Sequence, residues 1–359
     1  MGVPPAGLGV PAEPSDREEG SGQTPEPAGG TPVLPLAVLN PGGNDRMRLF
    51  PDGAGSPAEP GHAPVNYHAY AACGRGGFYQ AAKKIPSDVR AVLVLLRKTG
   101  LSAALPAVKA LQRRGLRVFI SWKESGLHQV ADCLASSRHH ENFRALCQEA
   151  DGFLSSTPEL VPLYQSAGCR TGGFVPTPYP VEEPPWDFSV PVAQRRGILV
   201  GTREFDIPTR NHYFAVALAC RLGGPVTAIS TDGAGDRLLR SISREISIVR
   251  GPLPYAEYLR VMARHRLVFQ LDRSAVPGQV AGDALLCRIP CVGGDGAVER
   301  LAFENLNGLG RDPAELAALA GSLLADDEAY AAEIEKSRAA ALEKLSFSAV
   351  AAELQKFLN

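Results

Sequence analysis

A chain of 359 residues, 45% hydrophobic and 21% charged, has enough apolar material for two globular domains of about 150 residues each. Its formal net charge of −1 supplies no basic field, which excludes a general nucleic-acid binder and leaves room for a local pocket that takes a small anion. No stretch reaches the roughly 18 to 20 uninterrupted apolar residues of a transmembrane helix, and MGVPPAGLGV has neither the basic start nor the apolar core of a secretion signal, so a cytoplasmic location is expected.

Residues 1–33 are dominated by Pro, Gly, Ser, Thr and Glu and cannot offset the entropy of ordering, so they are expected to form a disordered tail. Order starts at PLAVLNPGGNDR, with Leu36 to Leu39 as a buried strand and Gly42-Gly43 as the turn after it. A soft patch follows from Pro51 to Pro64. Next come VNYHAY as a strand, GGFYQAAKKI as a helix, VRAVLVLLR as a buried strand and SAALPAVKALQRRG as a helix closed by Gly115. LRVFISW reads as a strand and His128 to Ala150 as one long helix. ADGFLSS, the helical PELVPLYQSAG and GGFVPTPYP end this half. VPTPYPVEEPPWDFSVPVA then packs six prolines into nineteen residues; a linker is expected over residues 181–194.

The alternation restarts with RRGILVGTRE (strand, loop), HYFAVALACRLGG (helix), PVTAIS (strand), GDRLLRSIS (helix), ISIVRGPL (strand) and YAEYLRVMARH (helix). In HRLVFQLDRSAVPGQVAGDALLCRIPCVGGDG, the apolar run Leu267 to Phe269 stops at a loop. A short helix beginning near Asp283 follows, and Ile289 to Val292 forms a second apolar run closed by Gly293-Gly294. Residues 313–345 are helical, with Asp312 as N-cap before Pro313, and FSAVAAELQKFLN is a final amphipathic helix. This order predicts an α/β protein with two doubly wound, Rossmann-like domains facing a cleft, at 34–180 and 195–345, with a C-terminal helix at 346–359. In such sheets the loops at the carboxyl ends of strands, with helix N-termini and bare amides, receive anions, so a phosphorylated ligand is expected.

Seven cysteines (Cys73, Cys133, Cys147, Cys169, Cys220, Cys287 and Cys291) are odd in number, scattered and set in apolar patterns, as befits buried free thiols in a reducing compartment. Cys287 and Cys291 have the spacing of a metal pair, but no second Cys/His pair accompanies them, so no metal is expected.

The succession ILVGTRE, helix, PVTAIS, helix, SIVRGPLPYAEYLRVMARHRLVFQLDRS, GDALLCRIPCVGGDG, ENLNGLG and SFSAVAAEL resembles the nucleotide-sugar-binding half of group 1 glycosyltransferases of GT-B architecture. ADGFLSSTPELVPLYQSAG and FVPTPYPV resemble the last strand, helix and interdomain crossing of their acceptor domain, so the resemblance covers residues 34–359. It implies transfer of a sugar from a nucleotide-sugar donor to an acceptor held by the first domain, with retention of configuration and without a metal or other cofactor. Sugar, lipid-linked and protein acceptors all stay open, as does the oligomeric state.

The resemblance also implies site residues. Arg203 and Arg210, in GTREFDIPTRNHYF, stand where the family places an Arg and a Lys against the donor's diphosphate; the charge is kept and a bidentate geometry added. Asp283 holds the second position of the family's paired carboxylates, which grips the ribose. The first position, eight residues earlier, is Ala275, with Asp272 as a neighbouring substitute. Gly278 and Gly294, with Gly293 and Gly296, permit close backbone approach to the donor, and Gly43 would touch the diphosphate from the other domain. At the end of LRVFISWKES the family's histidine is replaced by Trp122-Lys123-Glu124. Glu124 is the candidate base or orienting acceptor, and His68 is a second candidate near the cleft. Each has a plainer alternative: solvated arginines, an acid at a helix N-terminus, ordinary βα turns, Trp122 in the core, a structural His68. A GT-B-shaped nucleotide- or glycan-binding scaffold without turnover would account for Ala275 and the absent histidine together. A sugar-nucleotide epimerase would need further acids and bases that the sequence does not place.

Overall fold

A computed structural model describes residues 35–358 apart from 60, 124, 125, 202–204, 206, 231 and 232. The tail expected to be disordered, residues 1–33, lies outside the described residues. The first lobe comprises β1 (Leu36–Leu39), β2 (Arg48–Leu49), α1 (Tyr67–Cys73), β3 (Gly77–Tyr79), β4 (Ala91–Leu96), α2 (Leu101–Gln112), β5 (Arg117–Trp122), α3 (Leu127–Cys133), α4 (Ser137–Glu149), β6 (Gly152–Ser155), α5 (Val161–Ser166) and β7 (Gly172–Phe174). Its sheet runs β2-β3-β1-β4-β5-β6-β7, parallel except where β2 meets β3. The central strand β4, AVLVLL, is buried at every position, as a parallel strand covered on both faces must be. One face (Ala37, Leu39, Val92, Val94) packs against Val108 and Leu111 of α2 and Phe143 and Leu146 of α4. The other (Leu36, Val38, Leu93, Leu95) joins α1 in a core that continues into the second lobe.

Two sequence expectations are exchanged here. VNYHAY is helical (α1), and the GGFYQAAKKI segment holds strand β3 followed by a short 3-10 turn, Ala82–Lys84. All seven residues of α1 are buried, so no polar face marks a helical period. The strand is fixed instead by tight packing: a Cβ on Gly76 would lie 2.0 Å from the Leu36 carbonyl oxygen. The long helix expected from His128 to Ala150 is two, because Ser136 leaves helical geometry and accepts a hydrogen bond from the His139 amide as N-cap of α4.

The second lobe comprises β8 (Ile198–Val200), α6 (His212–Ala219), β9 (Val226–Ser230), α7 (Gly233–Ile242), β10 (Ser247–Arg250), α8 (Tyr255–Met262), β11 (Leu267–Phe269), α9 (Gln279–Leu286), β12 (Cys291–Val292), α10 (Ala297–Ala302), α11 (Pro313–Ala325), α12 (Asp327–Lys344) and α13 (Phe347–Leu358). Its sheet is parallel in the order β10-β9-β8-β11-β12, the doubly wound arrangement whose direction reverses between β8 and β11. Asp312 caps α11 in a reciprocal capping box with Glu315, and Asp326 caps α12. Among the described residues no helix is long and apolar enough to cross a membrane.

The chain passes between the lobes twice. Trp186 in the Pro-rich crossing donates its indole N–H to the Gly55 carbonyl at 2.8 Å, while the Phe188 amide bonds the Leu286 carbonyl at 2.9 Å. Helix α13 returns to the first lobe and packs on α1, with Phe357 3.4 Å from the position of a Cβ on Gly173. Between these passages the Tyr179 amide bonds the Leu345 carbonyl at 2.8 Å, and its fully buried ring lies under α9 where a Cβ on Gly282 would be 1.9 Å from it. Gly282→Ala is therefore expected to lower unfolding free energy by about 1–3 kcal/mol in urea denaturation, as overpacking does; an unchanged midpoint would show that Tyr179 moves aside freely.

Candidate functional site

The carboxyl ends of both sheets open onto one cavity of about 460 Å³. From the second lobe, Gly201 follows β8, Arg250 ends β10 with Gly251 to Leu253 after it, and Gln270 and Asp272 follow β11; Gly278 and Gln279 open α9. From the first lobe, Asp45 follows β1, Lys123 follows β5 and Thr177 follows β7, while α1 presents Tyr67 and His68. The lobes touch around it. Asn66 donates to the Gln279 amide oxygen at 2.9 Å, the Leu127 amide reaches the Ser274 carbonyl at 3.2 Å, and Arg300 pairs with Glu159 at 2.6 Å.

Among the described residues, three basic side chains, Lys123, Arg210 and Arg250, reach the wall, each beside a carboxylate. Arg210, on the turn Pro208–Arg210 after β8, pairs with Asp272, whose other oxygen accepts from the Ser274 amide at 2.9 Å. Arg250 pairs with Asp236 at 2.8 Å, and Lys123 with Asp45 at 2.7 Å. Burial opposes ionisation of Asp45, but Lys123 outweighs it and holds that carboxyl below its ordinary range.

Asp283 lies in the second turn of α9, which starts at Gln279 because Gly278 takes the left-handed conformation, φ 92°, as its N-cap. The expected helix start near Asp283 is thus corrected by four residues, and the reading of Asp283 as an acid at a helix N-terminus goes with it. Asp283 is 1% exposed and accepts from the Tyr255 hydroxyl at 2.5 Å; burial pushes it up to about 7. Beyond it Glu299, on α10, is 2% exposed and accepts from Gln270 at 2.7 Å, and burial pushes it up to about 8, helped by Asp272 and Asp295.

His68 belongs to α1, not to a strand. It is 3% exposed, stacked between His62 and Phe78 at 4.1 and 3.7 Å, and burial followed by the neighbouring His62 pulls it down to about 4. It is therefore a neutral imidazole at pH 7, with its Nε2–H assigned to the Arg46 carbonyl 2.9 Å away. Trp122 is fully buried against Phe143, so it fills the core and offers no face to a sugar.

Of the sequence-predicted residues, Arg210, Gly278, Asp283 and His68 line the cavity together. Gly294, φ 76°, sits directly behind the wall: a Cβ there would fall 2.7 Å from Gln270 and 2.9 Å from Glu299. Gly43 is not among the lining residues, and its lack of a side chain serves the turn itself, since a Cβ would fall 2.1 Å from the Asn40 amide. Arg203 and Glu124 lie outside the described residues. Sequence reasoning missed Arg250, Tyr255, Gln270 and Glu299. The available signal for Glu299 was an acid inside the apolar helix AVERLA, directly after the glycine turn. Cys287 and Cys291 are buried thiols, the former donating to the Leu259 carbonyl, and among the described residues no group of three or more potential ligands could hold a metal.

No family model matches the chain, and no curated protein matches it in sequence. Solved structures do match in fold. A UDP-forming α,α-trehalose-phosphate synthase from Burkholderia xenovorans, in complex with glucose-6-phosphate, superposes with a TM-score of 0.56 at 13% identity over 78% of this chain and 74% of that one. Trehalose-6-phosphate synthase OtsA gives 0.55 at 13% identity over 77% and 74%. A glycosyltransferase from Rickettsia africae gives 0.54 at 10% identity over 76% of both chains. The likeness is one of architecture, and the fold is that of GT-B glycosyltransferases.

A carboxyl with a raised folded-state pKa binds a proton that the unfolded chain has released, so the stability it contributes is present below the unfolded value near 4 and lost as pH rises toward the folded value. For Asp283 and Glu299, at about 7 and 8, that window runs from about pH 4 to 8, with a slope approaching 1.4 kcal/mol per pH unit per group. Thermal unfolding is expected to shift downward from pH 5 to pH 8, and Glu299→Gln to flatten the decline and exceed the parent by more than about 1 kcal/mol at pH 8. Parallel curves for the two proteins would show that Glu299 ionises freely.

Proposed function

We propose that the protein is a glycosyltransferase that moves a sugar from a nucleotide-sugar donor to an acceptor on the first lobe, metal-independent, retaining and cytoplasmic. The observation that carries this reading is the convergence of two parallel sheets, by their carboxyl ends, on one cavity whose second-lobe wall combines glycine turns, Arg210 and Arg250. Glycosyl transfer releases a nucleoside diphosphate, and its departure is eased by positive charge placed where negative charge accumulates. Arg210 is held at the β8 end, 16% exposed, and Arg250 at the β10 end; with the bare backbone at Gly278 they give the diphosphate donors from several sides. The base would lie along Arg250 to Leu253. The UDP-forming neighbour from Burkholderia makes a uridine nucleotide the first donor to test.

The acceptor would enter from the first lobe, where neutral His68 and the Asp45–Lys123 pair line the cavity. With Nε2–H committed to the Arg46 carbonyl, His68 keeps a basic Nδ1, and Glu124 remains the alternative base. A sugar, a lipid-linked acceptor and a protein are all compatible with this wall.

A second reading has a specific observation behind it. Arg210 is already matched by Asp272, and position 275 presents only a methyl group, 7% exposed, where a carboxylate would face the donor sugar. A binding protein without turnover would have this wall. Incubation with UDP-glucose and a mixed panel of acceptors separates the two: release of UDP supports the transferase, and saturable binding without release supports the binder.

A thermal-shift panel of UDP-, GDP-, ADP- and CDP-sugars is expected to yield at least one stabilising ligand, because binding to the native state alone raises the melting point. Arg210→Ala is expected to weaken UDP binding at least about tenfold, in line with one charge-assisted contact, and to leave uridine binding unchanged. No stabilisation by any nucleotide would overturn the reading.

A further inference from the structure

Among the described residues, three carboxyl side chains reach the second-lobe wall of the cavity: Asp272, Asp283 and Glu299. The protein satisfies the first two. Asp272 spends one oxygen on Arg210 and the other on the Ser274 amide, and Asp283 takes the Tyr255 hydroxyl. Glu299 differs. Its Oε1 accepts from Gln270, but its buried Oε2 has no hydrogen-bond partner among the described residues. A buried carboxyl oxygen left without a donor is destabilising, by about 1–3 kcal/mol or more, and such groups in native proteins mark ligand sites, bound water or stored strain.

The surroundings of Glu299 distinguish among these. A Cβ on Gly278 or Gly296 would lie 2.0 or 2.4 Å from Oε2, and one on Gly294 would lie 2.9 Å from Oε1. Three glycines from two separate loops thus leave a slot that only the carboxyl fills, with its edge in the cavity wall. At the adjoining position 275, where the methyl group offers no hydrogen bond, the amide is taken by Asp295 at 2.9 Å. Among the described residues, Glu299 is the carboxyl this wall keeps available.

We propose that Glu299 hydrogen-bonds a hydroxyl of the donor's sugar, an uncharged polyol, and so supplies the donor-sugar recognition that position 275 does not. The inference rests on the nucleotide-sugar reading above. The proton that Glu299 retains near neutral pH fits the task. A carboxylic acid donates through O–H and accepts through C=O, which a sugar hydroxyl can answer in both directions, and it adds no negative charge beside the diphosphate.

The test compares UDP with UDP-glucose, UDP-galactose and UDP-N-acetylglucosamine by calorimetric titration of the full chain. The parent protein is expected to bind one of these sugars at least tenfold more tightly than UDP. Glu299→Ala should remove that preference about tenfold, the equivalent of one buried hydrogen bond, while holding UDP affinity within twofold. Glu299→Gln keeps both a donor and an acceptor and should retain the preference within threefold. Intact UDP binding with an unchanged preference in Glu299→Ala would overturn this inference alone. Equal loss of UDP and UDP-sugar binding would also overturn it, making Glu299 a support for the glycine loops. Absence of any nucleotide binding by the parent protein would remove the functional reading itself and this inference with it.

Discussion

A parallel sheet sends its carboxyl-terminal loops to one edge, and the two chain passages through Tyr179 and α13 set two such edges on a common cavity. Every feature of the site follows from that constraint. Residues at or just after the ends of β8, β10 and β11 meet there, so Gly201, Arg250 and Gln270 are placed directly by the strands they end or follow. The core that runs from β1 and α1 into the second lobe makes the arrangement costly to disturb, since separating the lobes would expose apolar surface as well as break the Asn66–Gln279 and Arg300–Glu159 contacts.

Among the described residues, the basic side chains on the cavity wall are paired before any ligand arrives. Arg210, Arg250 and Lys123 each lean on an aspartate, while burial raises Asp283 and Glu299 toward neutral pH, to about 7 and about 8. The diphosphate of the proposed donor would meet cations it can share and acids whose negative charge burial reduces. Were Asp283 and Glu299 ionised, the same wall would be far less hospitable to phosphate. Tight burial of titratable groups would thus let an overall charge of −1 coexist with the proposed anion site.

The architecture was largely legible in the sequence because hydrophobic period and glycine punctuation act locally. β1 and β4 declare themselves as unbroken apolar runs, and Asp312 announces α11. The exchange of helix and strand around His68 shows the limit: YHAYAAC is buried all round, so its period carries no information, and only the approach of Gly76 to Leu36 settles which segment pairs with β1. Arg210, Gly278, Asp283 and His68 could be placed near the cleft from motif order alone. Their partners could not. Asp272 on Arg210, Tyr255 on Asp283 and His62 on His68 are tertiary meetings, separated by 62, 28 and 6 residues in sequence. Glu299 went unread because Gly278 and Gln270, which meet its two carboxyl oxygens, come from the far side of α9 and β12 in sequence and reach it only in space.

The most direct measurement is a crystal structure of the full chain with UDP. The diphosphate is expected within hydrogen-bond reach of Arg210 and the backbone at Gly278, with the base beside Arg250 to Leu253. Electron density for UDP outside the interlobe cavity, or a cavity left empty at saturating UDP, would contradict it.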